Sequence, residues 1–423
     1  MGKREVRTLK GGMILGEDLY TPEGKRILRK GEPLGDRHIR MMKIWGIPEA
    51  AILEEKPQEE LPPEQDPGHS AFFDRAFRLV DAWFPPNSLE DPLMKELRRL
   101  CALRVARAMK EGTLPEGLFP RVQVSPPQMP DSEELDFSAH SLVRNEAQLA
   151  SYPDIYFRIK EVLDSPVSSA RHIAEVVSTD PNLSMRLLRL VNSSFYGFPY
   201  PIESIPRAVT IIGSRELTNL ALAVSTMSIF QGVPEEYVEM RSFWEHSLAC
   251  GVIARILANL RRFPEEERFF LAGLFHDAGK LVLYRKKPRV MTALLAFSRH
   301  EKLPMFEVED RILGFNHAYV GGLLLKEWNI PLTLQHLVQV HHSPDVLAFS
   351  PEAAVVHVAD VLAGAMRWGT SGSFYVPSLD SEACSALDLS AGVLERVLTQ
   401  SERQMREILQ VFFGKDSHHG SMA

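Results

Sequence analysis

The chain has 423 residues, with 48 Lys and Arg against 55 Asp and Glu, a net charge of −7 and an isoelectric point near 6.1. That balance argues against broad electrostatic binding of nucleic acid or acidic lipid, and an apolar share of 45% is that of a globular chain. Cys101, Cys250 and Cys384 are too few and too scattered for a disulfide framework or a thiolate metal site. No apolar run reaches the ~18–20 residues that span a bilayer, and MGKREVRTLKGGM has charge without an apolar stretch behind it. A cytoplasmic protein with no secretory leader and no membrane partner is expected.

At ~100–200 residues per domain the length implies two to four domains. Residues 1–56 read as a small α+β module. Thr21-Pro22-Glu23-Gly24 is a turn signal between the apolar runs Met13–Leu19 and Arg26–Leu28, which predicts a hairpin. Asp36 caps a predicted helix carrying Ile39, Met42 and Ile44, stopped by Gly46 and Pro48, and Ile47–Leu53 returns as a strand. Residues 57–135 read as linkers flanking a helical pair. Glu54–Ser70 holds four prolines and six acids, and Gly112–Glu134 holds five prolines, compositions that bury too little apolar surface to offset ordering. Between them Phe73, Phe77 and Val80 share one face, and Leu93, Leu97, Leu100 and Leu103 share another beyond Pro85-Pro86.

From about 138 the periodicity is helical almost throughout, so the fold class is mainly α, an all-α bundle behind the small module. Its first half spans 138–237. Ser168 or Ser169 opens a helix with Ile173, Val176 and Val177 on one face, and Asp180-Pro181 opens the next as N-cap and N1. Asn192 ends that helix as a C-cap. Ser204 and Ser214 open two more, the second running to Phe230. The second half spans 238–410, with helices over Trp244–Leu260, Glu266–Tyr284, His317–Trp328, Leu332–His341 and Ala353–Met366. Residues 411–423, with His418 and His419, read as a disordered tail.

Eight of the 14 histidines fall between positions 246 and 360. His246, His276-Asp277, His317, His341-His342 and Asp360 each lie on or at the end of a predicted helix. Imidazole and carboxylate are the ligands that Fe, Mn, Zn or Ni accept, and a helical bundle can point them into one interior. His276 and Lys280, at i and i+4, share a face beside Asp277, where an ammonium can anchor a phosphate oxygen. His300, His336 and His357 read as surface or satisfied core residues, His357 one turn before Asp360 on its face.

Together, WEHS, GLFHDAGKL, NHAYVGGLLLKEW, HHSP and VVHVADVLA resemble the HD metal-dependent phosphohydrolase superfamily. Upstream, SYPDIYFRIKEVLDSP, IAEVVSTDPNLSMRLLRLVNSSFYG and SIPRAVTIIGSRELTNLALA resemble the HDOD domain, the HD-related output domain of bacterial signalling proteins, over about 140–365. The N-terminal module is similar to the one that often precedes HD-GYP cyclic-di-GMP phosphodiesterases. By this resemblance His246, His276, Asp277 and Asp360 hold one divalent metal, with the aspartate bridging, and His317, His341, His342 and Asp277 complete a second site. The site is thus mono- or binuclear, with Asp277 and Lys280 as catalytic candidates. Two metals ~3.5–4 Å apart activate a water and polarise a phosphate. The chain departs from that pattern where no GYP follows His341-His342, and where Ser242 stands in place of the expected glutamate. The resemblance implies a signalling output or interaction module with a divalent-metal site and a signalling-protein or nucleotide partner. The alternative is a metal-dependent phosphohydrolase acting on a nucleotide or cyclic dinucleotide. Arg285-Lys286-Lys287-Pro288-Arg289 reads as a solvated helix end, and no nucleic acid is expected.

Overall fold

The computed structural model describes 2–52 (except 7, 8, 10–12, 21–25, 33, 36, 37, 40, 41, 43–46 and 48), 71–113 (except 86, 87 and 89) and 130–144. It also describes 158–227 (except 160, 163–169 and 199) and 238–413 (except 344, 345 and 347–349). The chain forms two compact units, 1–66 and 67–423.

In the first unit β1 (Gly2–Glu5) pairs antiparallel with β4 (Glu49–Ile52), Gly2 opposite Ile52. Strands β2 (Leu19–Tyr20) and β3 (Arg26–Leu28) form the second antiparallel pair. The hairpin and the returning strand were legible; β1, with GKRE and no apolar alternation, was not. Leu15, Leu34, Met42 and Ile52 are fully buried and form its core with Val6, Leu9, Leu19, Ile39 and Ala50. His38, Ile39 and Met42 are helical, whereas Asp36, Ile44, Gly46, Pro48 and the 21–24 turn lie outside the described residues.

The second unit is helical, among the described residues. It begins with α1 (Ala71–Val80), a 3-10 turn (Asp81–Trp83) and α2 (Pro92–Glu111), capped by the Asp91 carboxylate on Met94 N. The buried stripe of α2 is Met94, Leu97, Cys101, Ala102 and Val105, one position over from the expected Leu93–Leu97–Leu100–Leu103 face. The pair is no appendage between linkers. It packs on two later helices, so the stripe faces them as well as α1. The linker stretch 53–70 lies outside the described residues.

Short α3 (Ser132–Leu135) and α4 (Ala139–Val143) lead to α5 (Ala170–Ser178), α6 (Pro181–Val191), α7 (Ile205–Ile212) and α8 (Ser214–Thr226). Asp180 caps α6 by accepting from Asn182 N and Leu183 N, and Ser204 caps α7 on Arg207 N. Asn192 ends α6 as expected and also pins the next loop, its amide exchanging hydrogen bonds with Ile202 N and O. Ser214 is helical, so it is not the cap. Gly213, at φ 92°, ends α7 and starts α8 at once, a joint that L side chains rarely adopt. Helix α8 is described to Thr226, short of Phe230, and 228–237 lie outside the described residues. So do Ser168 and Ser169.

The remaining helices are α9 (Met240–Leu260), α10 (Glu266–Phe275), α11 (Ala278–Lys286), α12 (Pro288–Glu301), α13 (Met305–Leu313), α14 (His317–Glu327), α15 (Leu332–Gln339), α16 (Pro351–Met366), α17 (Ser381–Ala386) and α18 (Ala391–Phe413). Helix α18 passes the expected boundary at 410, so Val411–Phe413 belong to it rather than to a tail, and 414–423 lie outside the described residues. The expected Glu266–Tyr284 helix is two, broken at His276-Asp277, where Asp277 leaves helical geometry at φ −96°, ψ 6°. The break lets α11 close on α14: a Cβ on Gly279 would stand 2.0 Å from the His317 carbonyl oxygen. Both expected halves share a single apolar core, running from Leu187 and Leu220 through Phe243, Phe270 and Leu281 to Ile408. Helices α9, α10 and α16 pack together at its centre, with α15 against α10 and α16.

Candidate metal centre

Five segments bring the predicted side chains together. His246 lies on α9, His276 and Asp277 at the α10–α11 break, Lys280 in the first turn of α11, and His317 at the start of α14 behind its Asn316 cap. His341 and His342 follow the end of α15, and Asp360 lies mid-way along α16. All eight are buried.

Asp277 stands between two groups of imidazoles. Its Oδ2 is 3.2 Å from His276 Nε2 and 3.6 Å from His246 Nε2; its Oδ1 is 3.0 Å from His317 Nε2 and 2.9 Å from Lys280 Nζ. Asp360 Oδ1 lies 3.2 Å from His246 Nε2 and 3.3 Å from His276 Nε2, and its Oδ2 is 3.8 Å from His342 Nε2. Three triads have ligand atoms all within 4.8 Å of one another: His317, His341 and His342; His246, His276 and Asp277; and His276, His341 and Asp360. His276 and His341 join the triads into one cluster.

The outer ring nitrogens fix the tautomers. Nδ1–H of His276 donates to Gly273 O and that of His341 to Val338 O, both at 2.7 Å, and His317 Nδ1 meets Glu309 Oε2 at 2.5 Å. Each Nε2 lone pair then faces inward, and the Nε2 atoms of His276, His317 and His341 are buried without a hydrogen-bond partner. Lone pairs of nitrogen and carboxylate oxygen 3.0–3.3 Å apart repel unless a proton or a cation lies between them. Ligands ~2.0–2.2 Å from one ion stand about 3–4 Å from each other, the spacing found. The donor set therefore fits a divalent cation of the Fe, Mn, Zn or Ni type, with no thiolate in it.

The electrostatics agree. Burial raises the Asp277 carboxyl, but His276, Lys280 and His317 outweigh it and hold Asp277 well below the usual range. Burial acts likewise on Asp360, and the neighbouring His246 and His276 imidazoles outweigh it and hold it well below the usual range. Burial pushes His246 and His342 down, and His341 to about 3, the last two helped by neighbouring imidazoles. Burial lowers His276 and His317 too, but the Asp277 charge beside His276 and Glu309 beside His317 win and raise them. Without an ion, protons on two imidazoles balance the carboxylates; a metal replaces such protons.

Lys280 Nζ has three hydrogen-bond partners: Asp277 Oδ2, Ser371 Oγ and Ser373 Oγ, each at 3.0 Å. The serines belong to an irregular segment between α16 and α17 that walls a cavity of about 30 Å³ over His246, His317, His342 and Asp360, room for about two water molecules.

Sequence reasoning missed Glu309. It accepts from both His317 N and Nδ1, the arrangement by which a carboxylate orients a ligating imidazole. The available signal was an acid on the apolar Met305–Val308–Ile312 face of α13. Ser371 and Ser373 gave none, since WGTSGSFY reads as a loop. His300 and His336 are at the surface, as expected. His357 is buried and satisfied, Nδ1–H donating to His341 O while Nε2 accepts from Asp380 N, so it holds the backbone of His341. Arg289 pairs with Glu134, and Lys287 lies over the Phe137 ring.

The HDOD domain profile matches residues 149–344. The chain carries an HDOD domain. Its matched segment contains His246, His276, Asp277, Lys280, His317, His341 and His342, and stops before Asp360 and the serine segment. The helical unit is similar in fold to a protein assigned only provisionally as a phosphohydrolase, from Shewanella amazonensis SB2B, with 22% identity and a TM-score of 0.52 over 66% of this chain and 99% of that one. It is also similar to an HDOD domain protein of unknown function from Geobacter sulfurreducens, with 23% identity, a TM-score of 0.51, and 66% and 98% coverage. A curated relative, an uncharacterised protein of Treponema pallidum (strain Nichols), is 24% identical over 217 residues, 51% of this chain but only 41% of that relative. No helix among the described residues is long and apolar enough to cross a membrane.

Proposed function

We propose that this HDOD protein is a bacterial signal-transduction protein whose helical bundle holds a divalent metal and serves as an output or interaction module. The observation that carries the reading is the set of inward, partnerless Nε2 atoms of His276, His317 and His341 around Asp277 and Asp360. His246, His276, Asp277 and Asp360 would hold one ion, and His317, His341 and His342 with the other oxygen of Asp277 a second. Such an ion would tie helices α9, α11, α14 and α16 together, and as a Lewis acid it would polarise a phosphoryl oxygen. The engagement of Lys280 by Ser371 and Ser373 favours binding over turnover.

A second reading, metal-dependent hydrolysis of a nucleotide or cyclic dinucleotide, is favoured by the ligand set and by an ammonium one turn from Asp277. Metal analysis of the purified protein, with His276→Ala and Asp277→Ala as controls, tests the first. Stoichiometric metal lost in both variants, without hydrolysis of bis-p-nitrophenyl phosphate or cyclic dinucleotides in Mn, Fe or Ni, is the expected result. Hydrolysis abolished by Asp277→Ala would replace the first reading by the second. Metal-free wild-type protein with both variants folded normally would overturn the metal centre itself.

A further inference from the structure

The segment between α16 and α17 has no regular structure, yet it is fastened at each step to the walls of the metal centre. Arg367, at φ 53°, ends α16, and its guanidinium donates to Ser373 O at 3.4 Å and to Phe374 O. Thr370 N donates to both Ser242 O, at 3.1 Å, and Ser242 Oγ, at 3.0 Å. Tyr284 Oη donates to Ser371 O at 2.9 Å, and Val376 N to Trp83 O at 3.0 Å. Two glycines lay the backbone flush. A Cβ on Gly369 (φ 70°) would stand 2.0 Å from Ser242 O, and one on Gly372 (φ 101°) 1.9 Å from the Tyr284 hydroxyl.

Ser371 and Ser373 then present their hydroxyl oxygens to Lys280. An ammonium has three protons, and Asp277, Ser371 and Ser373 take all three. The oxygens of Ser371 and Ser373 take the ammonium protons that a phosphate would otherwise accept. A phosphoryl oxygen needs a free ammonium proton to bind here, and with all three protons of Lys280 taken none is left for it.

We propose that residues 368–376 are an autoinhibitory strap: closed, they shut the metal centre and occupy Lys280 with two serine hydroxyls, and a phosphate-bearing ligand enters when the strap lifts and its oxygens replace those hydroxyls. The proposal rests on the metal-binding reading above and makes the centre latent. Arg367 ties Ser373 and Phe374 together within the strap, and lifting it breaks the bonds of Thr370 to Ser242, of Ser371 to Tyr284 and of Val376 to Trp83. Its hold on Lys280 is two neutral hydroxyls, and a dianionic phosphate on the same cation is the stronger partner. The far end is tied to the helical pair through Trp83, whose ring also stacks under Arg367 at 4.9 Å.

The test uses the full chain, wild type against Gly372→Ala, which pushes the strap off Tyr284, and against a Ser371→Ala/Ser373→Ala double variant, which leaves the backbone unstrained. Metal content, binding of radiolabelled inorganic phosphate by dialysis with and without Mn²⁺, and chymotryptic cleavage at Phe374 and Tyr375 are measured. We expect unchanged metal content, at least tenfold tighter phosphate binding in both variants, and at least tenfold faster cleavage in Gly372→Ala. Wild type binding phosphate as tightly as both variants would overturn the strap. Metal absent from all three proteins would sink the metal reading alone, and the metal-free arm then decides: failure of the double variant to gain phosphate binding overturns the strap, and a gain sustains it. If Gly372→Ala does not fold, the double variant decides alone.

Discussion

Helix α9 carries an ionic cluster at each end, one half-buried and one buried, and the two are built on opposite plans. Near its C-terminus Arg255 donates to Phe195 O at 2.6 Å and to Glu266 Oε1 at 3.1 Å, and lies 3.9 Å over the Phe195 ring. Asn259 donates to the other Glu266 oxygen, and the Tyr196 hydroxyl donates to Glu216. Charge meets charge there, and apart from Arg255 Nε the groups spend their hydrogen bonds on one another. Near its N-terminus His246 faces a cluster in which five ring nitrogens, three of them Nε2 atoms, have nothing to bond and two carboxylates stand among them. Closely packed ionisable groups are common to both clusters. Convergence of unspent lone pairs on one point belongs to the second alone, and it separates a ligand set from an internal ion pair.

The sharpest break of that contrast is Asp277→Ala. It leaves His276, His317 and Lys280 buried without their shared carboxylate, so bound metal is expected to fall below a tenth of an ion per chain by elemental analysis. Removing one partner of a buried ionic network costs ~3–5 kcal/mol, read as a lower denaturant midpoint in the metal-free protein. Glu266→Gln, in the other cluster, should leave metal content untouched; equal loss of metal in both variants would erase the distinction. Chelation comes next. An ion present at 1,000 times its dissociation constant adds ~4 kcal/mol, so a chelator should lower the melting temperature of wild type and not of Asp277→Ala. Glu309→Gln keeps the shape beside His317 but removes the charge, and a loss of ~10–100-fold in metal affinity is expected from competition titration. An unchanged affinity would reduce Glu309 to a packing residue.

The smallest effect sharpens the comparison from the other side. Burial raises the Glu216 carboxyl to about 9, with Glu267 adding to it and Arg255 opposing. The folded chain therefore keeps a proton that the unfolded chain releases near the ordinary value of 4.5. Stability from this group is fully present below that pH and is lost progressively as pH rises through about 9. Glu216→Gln should flatten the pH dependence of the denaturant midpoint between pH 5 and 9, and an undiminished slope would place the titration elsewhere.

The helices around both clusters were largely legible because their boundaries are chemical. Asp180-Pro181 and Ser204 announce helix starts through side chains that accept from the first free amides, and the alternation of Leu183, Leu187 and Val191 tells which face is inside. The residues that converge on Asp277 and Asp360 were legible by type and order, through their resemblance to a known set. What stayed hidden depends on tertiary partners. Ala278, Gly279 and Lys280 do not mark a break, and α10 and α11 part at Asp277 because His317 requires Gly279 to approach. Glu309 is silent until it is seen beneath His317. Ser371 and Ser373 look like loop filler until Lys280 is placed opposite. The α2 stripe shifted by one position because helices far along the chain, α16 and α18, claim part of its surface.

The break at His276-Asp277 has a consequence in time as well as in space. The ligands run from His246 to Asp360, on segments that meet only once α9, α11, α14, α15 and α16 have assembled. No pair within one helix can seize an ion early, and contacts of such long sequence separation form late. Metal uptake would therefore follow folding, and an ion once enclosed would exchange at the pace of local opening. Such a centre would count slow events: what it held when the chain closed is what it goes on holding.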